Sequence, residues 1–397
     1  MARVFILILT LISSIRSYGQ YALPDAVQTD YKKILLDEIS SDLNRRFEIM
    51  DETIRHLDKK TSVLDVAIQN TRNSREEADR LKERLNYVEQ KQSAMDENET
   101  IIYEANFQSA IINLVSMERE IKPLTLFNTT RDFISATSAA ANPMTYSGYQ
   151  QWYQKFSEYV EKEKGKEPIL GILSHMLTLT GDASKIIPFS GPLTEPLFSG
   201  INSFIRSLGS GKKELRDESQ KMFLITAALA QWNHENEQIE KEWNEITREL
   251  ESLQKTYVQL IEVNMQMMNL NQSEFNRNFC IEHDAHKRYS YLTSLKETCA
   301  AYVRKEKMTQ PKHWKEHIYF QMMDIQELKF RFGMITSKIK DNIDRYEVLI
   351  NRFRNDPNIG RRIASLEPKL SELSDIFDRT FEPSDYITSA SRMYRVQ

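Results

Sequence analysis

The sequence predicts an all-α fold, an elongated antiparallel bundle of long coiled-coil-like helices that carries a small central apolar hairpin, or head. Residues 25–122 and 212–310 contain no Gly and no Pro, which favours long helices. Eight of the 11 glycines lie between Gly148 and Gly211, so turns are expected near the middle of the 397-residue chain. No run of short β-branched strands separated by turns recurs in the sequence.

The same pattern predicts five segments. Two of them are long helical arms, and the Gly-rich and Pro-rich middle separates the arms. In chain order we expect a signal peptide (1–19), a first arm (20–123), a central head (124–211), a second arm (212–310), and C-terminal helices with a tail (311–397).

The N-terminal segment has the parts of a cleavable signal peptide. Arg3 supplies a positive charge, residues 4–12 are apolar, and Ser17 and Gly19 place small residues at the −3 and −1 positions of a cleavage site. The apolar run is much shorter than the ~20 residues of a spanning helix. We expect cleavage after Gly19 and a secreted or periplasmic protein. A retained N-terminal anchor is the alternative.

The first arm contains an apolar heptad repeat, which is the pattern of a helix with one stripe facing a partner helix. Its positions are Phe47, Met50, Ile54, Leu57, Thr61, Leu64, Ile68 and Thr71. The repeat loses phase near Arg75 and Ala78 and resumes through Leu81, Leu85, Val88 and Met95. The acidic residues 96–99 are predicted to break the arm.

The second arm has a stricter repeat of seven consecutive heptads, which chance rarely sustains. Its positions are Met222, Ile225, Leu229, Trp232, Asn236, Ile239, Trp243, Ile246, Leu250, Leu253, Tyr257, Leu260, Asn264 and Met267. Two of them are Asn, and a polar residue at such a position can fix register and partner choice. The alternative is that the bundle is hydrated at these two points.

A third repeat follows Pro311. Its positions are Ile325, Leu328, Phe332, Ile335, Ile339, Asn342, Tyr346, Leu349 and Phe353. Three repeats in one chain suggest that the helices pack on each other as an antiparallel bundle, since packing supplies most of the stability of such helices. Formation of a homo-oligomer through the same repeats is the alternative.

An aromatic helix precedes the most apolar part of the head. Tyr149, Trp152, Tyr153 and Phe156 share one face at helical spacing. Aromatic residues suit a boundary between water and an apolar medium, so this face could be an interfacial surface. The alternative, which we favour, is that it covers the head or the end of the bundle.

Residues 169–208 carry only four charges, in a chain that is 28% charged. Pro188, Pro192 and Pro196 exclude one continuous helix. Each apolar flank would be roughly 18 Å long as a helix, shorter than the ~30 Å hydrocarbon core of a bilayer. A compact apolar hairpin is therefore predicted, hinged at Gly209 to Gly211, and it could cross a membrane only as a re-entrant unit or after refolding.

The apolar residues of this hairpin are the candidates for contact with membrane lipid or with a protein partner. They are Ile169, Leu170, Ile172, Leu173, Met176, Leu177, Ile186, Ile187, Phe189, Leu197, Phe198, Ile201, Phe204 and Ile205.

A signal peptide, two very long helical arms and a low-charge central segment, formed by residues 169–179 and 186–208, together resemble the α-helical pore-forming toxins of the cytolysin A and haemolysin BL type. In that family the central apolar segment is packed away in the soluble form and inserts into the target membrane during oligomerisation. The resemblance covers most of the chain as an arrangement and includes no residue-specific motif. It implies a membrane-interacting protein, although the three prolines depart from the family's unbroken apolar segment.

The two cysteines, Cys280 and Cys299, suggest a disulfide in an exported protein. On one continuous helix they would be ~28 Å apart, so a bond requires the chain to reverse between them. Two buried or unbonded thiols are the alternative. The nearby histidines match no defined zinc motif, and we expect no metal and no cofactor. Three sequons make glycosylation conceivable in a eukaryotic source, at Asn98, Asn128 and Asn271.

The sequence contains no motif that indicates an enzyme active site or a nucleic-acid-binding surface. Residues 209–213 suggest a phosphate-binding loop, but Lys213 stands where Ser or Thr is required. The net charge is −4, without a basic patch interleaved with aromatic residues. We expect an exported, non-enzymatic helical protein that contacts a membrane through its central hairpin. The alternative is a coiled-coil scaffold or adhesin that presents the head to a protein partner.

Overall fold

The computed structural model of this protein describes residues 31–121, 124–163, 203, 205–206 and 213–390, without the side chains of 124–128 and 163. The predicted signal peptide lies outside the described residues. So do the candidate contact residues of the head, with the exception of Ile205.

All regular secondary structure in the described part is helical, which confirms the all-α prediction. A 3₁₀ turn, Pro143–Thr145, precedes the fourth helix, and a π-helical turn, Asn276–Cys280, follows the sixth. The helices are α1 (Tyr31–Gln69), α2 (Ser74–Glu120), α3 (Leu124–Ala141), α4 (Tyr149–Glu163), α5 (Lys213–Met267), α6 (Gln272–Phe275), α7 (Ala285–Thr309), α8 (Trp314–Phe353), α9 (Gly360–Ala364), α10 (Glu367–Thr380) and α11 (Pro383–Ala390).

The chain divides into two compact units. Unit 1 consists of Met1–Glu118, Leu260–Ile325 and Met393–Gln397, and unit 2 consists of Arg119–Gln259 and Gln326–Arg392.

In unit 1, α1 and α2 form a helical hairpin that reverses at residues 70–73. Asn73 accepts a hydrogen bond from the backbone N–H of Arg75 through its side-chain oxygen, at 3.0 Å. Asp65 pairs with Arg84, and Asp58 pairs with Lys91. The prediction that the first arm breaks at residues 96–99 is therefore wrong, because those residues lie inside α2 and the chain turns at its polar Asn-Thr-Arg-Asn segment.

The resumed part of the first apolar repeat is not covered by another helix within the described part of this chain. Leu81, Leu85, Val88 and Met95 keep 48%, 58%, 40% and 48% of their surface exposed. The reason is that α2 turns a different face, which includes Arg84 and Lys91, toward the acidic residues of α1.

The core of unit 1 combines α2 with the beginning of α1 and with α7. The buried side chains include Leu35, Ile39, Phe107, Ile111 and Leu295. Polar contacts join the same helices: the Gln108 amide donates to the backbone oxygen of Lys296 at 2.9 Å, and the Tyr289 hydroxyl donates to Glu38 at 2.8 Å.

The region predicted as the second arm contains a chain reversal. α5 stops at Met267, Asn269 adopts a left-handed conformation (φ 55°), and α7 begins after Asp284, whose carboxylate accepts hydrogen bonds from the first turn. The sulfur of Cys299 on α7 lies 3.7 Å from that of Met268, so the chain has reversed between them. Met267 is 44% exposed, and the buried positions shift to Ile261, Met265 and Met268.

In unit 2, α5 and α8 run antiparallel. Trp232 contacts Phe353 with ring centroids 5.6 Å apart, and Lys338 pairs with Glu249 at 2.6 Å, so partner numbers fall along α8 as they rise along α5. The second repeat is buried from Met222 to Tyr257, and the third is buried throughout. These two repeats therefore meet each other within one chain.

Candidate functional site

The aromatic face of α4 packs against α5 in unit 2. The indole N–H of Trp152 donates to the hydroxyl oxygen of Ser219 at 2.8 Å, and the hydroxyls of Tyr149 and Thr226 lie 2.8 Å apart in a second hydrogen bond. All four side chains are buried. Burial raises the pKa of Tyr149 to about 12, and the hydrogen bond to Thr226 opposes this shift, so the phenol stays protonated at neutral pH.

Aromatic rings pack beside the hydrogen bond of Trp152. Phe223 of α5 makes edge contacts with Trp152 and Phe156, at centroid distances of 5.4 and 5.5 Å. Such contacts add to the stabilisation from buried area. Tyr153 is half-buried beside this cluster. In the structure, the face formed by Tyr149, Trp152 and Phe156 is thus covered by α5 rather than presented to a partner.

The turn before α4 fixes the direction in which this helix leaves. Asn142 accepts a hydrogen bond from the backbone N–H of Met144, and Pro143 begins the 3₁₀ turn. Gly148 then adopts φ +81°, a conformation that residues with a Cβ rarely take. The local sequence therefore aims the aromatic face at α5.

The contacts also show that α4 and α5 are antiparallel, because Tyr149 pairs with Thr226 and Trp152 pairs with the earlier residue Ser219. The end of α4 at Glu163 and the start of α5 at Lys213 consequently lie at the same end of the helix pair. Residues 164–212, which contain the apolar stretch, are joined to the protein at this place. We call the α4–α5 pair the anchor of this segment.

Of the candidate contact residues in the segment, Ile205 is described and is buried. Its neighbour Arg206 is exposed. The other candidates, from Ile169 to Phe204, lie outside the described residues.

A shallow open cleft of about 580 Å³ lies between α3 and α9–α10 in unit 2. Its charged and polar lining includes Asp132, Thr145, Arg362 and Lys369. The Arg362 guanidinium donates to Thr145 and lies 4.4 Å from the ring centroid of Tyr146. Burial raises the pKa of Tyr146 to about 12, while the guanidinium acts in the opposite direction. Among the lining residues in the described part of the chain, no nucleophile is held by a general base.

Unit 1 contains a buried carboxylate that the sequence analysis missed. Glu104 lies 2.5 Å from Arg304 and 3.4 Å from Arg46, and Arg304 also pairs with Glu97 at 3.1 Å. Burial raises the pKa of Glu104, and the two arginines act in the opposite direction. Its position in the apolar run from Ile101 to Met117 is the signal that could have revealed it.

The remaining sequence candidates do not form a common site. Cys280 and Cys299 are both buried and form no disulfide with each other. Burial raises the pKa of the Cys299 thiol well above its ordinary value. Asn271 is exposed at the start of α6, whereas Asn98 is half-buried inside α2 and the side chain of Asn128 is not described.

Comparison with protein-family models, with curated protein sequences and with solved structures gives no match to this chain. Among the helices of the described ranges, none combines the length and apolarity needed to cross a membrane. Across the same ranges, no three His, Cys, Asp or Glu side chains are grouped so that they could hold a metal ion.

Proposed function

We propose that this chain is an exported, non-enzymatic protein of coiled-coil-like helices that interacts with membranes through a central apolar hairpin, in the manner of an α-helical pore-former. The observation that supports the proposal is the attachment of the apolar segment to the anchor, the α4–α5 pair. Forty residues with only four charges, 169–208, belong to a segment whose two ends are attached at one end of the α4–α5 pair.

The length of the segment and the positions of its proline and glycine residues fit a hairpin that crosses the bilayer after refolding. Pro188, Gly191 and Pro192 lie at its middle. They would leave arms of 19 and 16 residues (169–187 and 193–208), or roughly 28 and 24 Å as helices. These lengths approach the ~30 Å of a hydrocarbon core. Pro196 would lie in the first turn of the second arm, where proline is tolerated.

The anchor would keep its structure while the segment changes conformation. Its two hydrogen bonds and its ring contacts join residues of α4 directly to residues of α5, so no residue of 169–208 takes part in them. A soluble form with the segment packed away and a membrane form with the segment inserted can therefore share the same α4–α5 pair.

The test is release of a trapped dye from anionic and zwitterionic vesicles by the chain starting at Gln20. A variant that lacks residues 186–196 should release no dye and should not sediment with the vesicles, with helical circular dichroism nearly unchanged. The charge substitutions Leu173→Glu and Phe198→Glu should act in the same direction. The matched control is Ile49→Glu on α1, where the side chain is 59% exposed and unrelated to the segment.

Two results would overturn the proposal. One is an intact chain that neither binds vesicles nor releases dye at any lipid composition or pH. The other is a variant lacking residues 186–196 that releases dye as fast as the intact chain.

A second candidate is a coiled-coil scaffold or adhesin that presents the segment to a protein partner. The paired repeats of α5 and α8 favour it, since a buried interhelical seam gives a stiff support. The prolines of the segment fit a compact recognition surface as well as a turn. This candidate predicts no vesicle binding, together with specific capture of one purified surface protein that is lost when residues 186–196 are removed.

A further inference from the structure

An exposed apolar stripe runs along α2 in unit 1. Leu81, Leu85, Val88 and Met95 follow one another at spacings of four, three and seven residues, with Gln92 at the intervening heptad position. Each of the four apolar side chains keeps between 40% and 58% of its surface exposed. Scattered exposed apolar residues are ordinary, but a run at heptad spacing is the pattern of a helix that packs on another helix.

The hairpin partner does not cover this stripe. α2 contacts α1 through Arg80, Arg84, Tyr87 and Lys91, which bind Ala67, Asp65, Lys60 and Asp58 respectively. Leu81, Leu85 and Val88 each follow one of these contacting residues by one position, which places the stripe about 100° further around the helix. Within the described ranges, the polar contacts of residues 75–91 are made inside α2 or with the α1–α2 hairpin.

Charges beside the stripe indicate what covers it. Lys82 directly follows Leu81, and Glu89 directly follows Val88. Both charged residues therefore lie on the flank of the stripe that faces away from α1. When two copies of this helix pair antiparallel, this flank faces the same flank of the other copy. Lys82 then lies beside Glu89 of the second copy, and Glu89 beside Lys82 of the second copy.

We propose that a second copy of this chain covers the stripe, through an antiparallel and two-fold symmetric pairing of α2 with α2. Leu85 packs beside Val88 of the second copy, and Leu81 packs beside its Gln92. The interface is self-complementary in charge, as a two-fold contact requires. A parallel pairing would instead direct Glu89 toward Arg84, which already pairs with Asp65.

The proposal is independent of vesicle binding, because it concerns α2 and not residues 169–208. Sedimentation velocity of the chain starting at Gln20, over a wide range of concentration and without lipid, should show a reversible monomer–dimer equilibrium. Leu85→Asp should abolish the dimer. Val63→Asp, at an exposed apolar position of α1, is the matched control and should leave the dimer unchanged.

A charge exchange tests the orientation. Lys82→Glu places two acidic residues opposite each other, and Glu89→Lys places two basic residues there, so each variant should dimerise at least about tenfold more weakly than the wild type. In a heterodimer of the two variants, every acidic side chain at positions 82 and 89 again faces a basic one. The mixture should therefore recover the wild-type affinity, at low salt in particular.

Three outcomes would contradict the proposal. A wild-type chain that stays monomeric at all concentrations would rule out the second copy as the occupant. A dimer that survives Leu85→Asp would place the interface elsewhere. A mixture that associates no better than the separate variants would exclude the antiparallel pairing, since a parallel pairing gives no such recovery. Circular dichroism should show each variant folded, because every substituted side chain is exposed.

Discussion

Trp152 donates its indole N–H to the hydroxyl oxygen of Ser219 at a distance of 2.8 Å. The exposed fractions of the two residues are 2% and 0%. The bond joins α4 to α5, the helices on either side of residues 164–212. Because a buried donor without an acceptor is costly, this pair favours the arrangement in which both ends of the segment lie together.

The hydrogen bond between these two residues should be measurable by a double-mutant cycle. Trp152→Phe leaves the hydroxyl of Ser219 without its donor, and Ser219→Ala leaves the indole without its acceptor. Each should lower the free energy of unfolding by about 1–3 kcal/mol. The double variant should lose less than the sum, as measured by urea denaturation. Strict additivity would show that the two side chains do not interact.

Gly333 on α8 should not tolerate the substitution that usually stabilises a helix. Gly→Ala in a helix normally gains up to ~1 kcal/mol. A Cβ at this position would lie 2.8 Å from the Ile387 side chain and 3.1 Å from the Ile387 backbone nitrogen on α11. Gly333→Ala should therefore lower the free energy of unfolding by about 1–3 kcal/mol. Asp341→Ala, at an exposed position of α8, is the control and should change it little.

The sequence was sufficient to predict the apolar repeats of α5 and α8, because both keep the 3.5-residue period and nearly every position is apolar, but it left open whether they pair with each other or with a second chain. It was insufficient for α2, where the period is equally clear. Ion pairs from Asp58 and Asp65 draw the charged face of α2 onto α1, and a heptad pattern alone does not tell which face meets the neighbour. The turn at residues 70–73 was missed because it contains neither Gly nor Pro. Its signal was Asn73 before Ser74, a helix-capping sequence.

The buried amide of Asn342 should cost stability. Its nitrogen donates to the backbone oxygen of Ile239 at 3.3 Å, while its buried oxygen has no hydrogen-bond partner among the described residues. Asn342→Leu should raise the free energy of unfolding by about 1 kcal/mol, because it removes an unsatisfied polar atom from the α5–α8 seam. Asn351→Leu, exposed on the same helix, should not. A less stable Asn342→Leu protein would show that the amide contributes more than it costs.

Glu104 should make stability fall as the pH rises. Its pKa is raised in the folded protein above the ordinary value of 4.5, so the folded state binds a proton that the unfolded state has released. Compared with Glu104→Gln, the wild type should lose stability from about pH 4.5 upward until the raised pKa is passed, and the difference should be constant above it. Thermal unfolding of both proteins across this range is the measurement. A difference that grows in favour of the wild type would mean that Arg304 and Arg46 outweigh the cost of burial.

For the candidate site, as for the fold, one part could be predicted from the sequence and another part could not. The apolar segment could be found from the sequence because charge is rare in residues 169–208. The sequence could not show that α4 is covered by α5, because an aromatic face has the same spacing whether it meets lipid, a partner or another helix. What identifies Trp152 and Tyr149 as buried contact residues is their hydrogen bonds to the hydroxyls of Ser219 and Thr226. These partners lie about 70 residues further along the chain.

Membrane entry of the segment is the central claim, and a fluorophore at position 198 tests it most directly. Cys280 and Cys299 are buried, so a polarity-sensitive dye should react first with the new thiol of Phe198→Cys. A second protein labelled at Asn73→Cys, in the exposed α1–α2 turn, is the reference. On addition of vesicles, the dye at position 198 should shift to the blue and be quenched by lipids carrying a quencher deep in the bilayer, while the dye at position 73 should not change. A dye at position 198 that stays accessible to an aqueous quencher and insensitive to the lipid quencher would contradict the account.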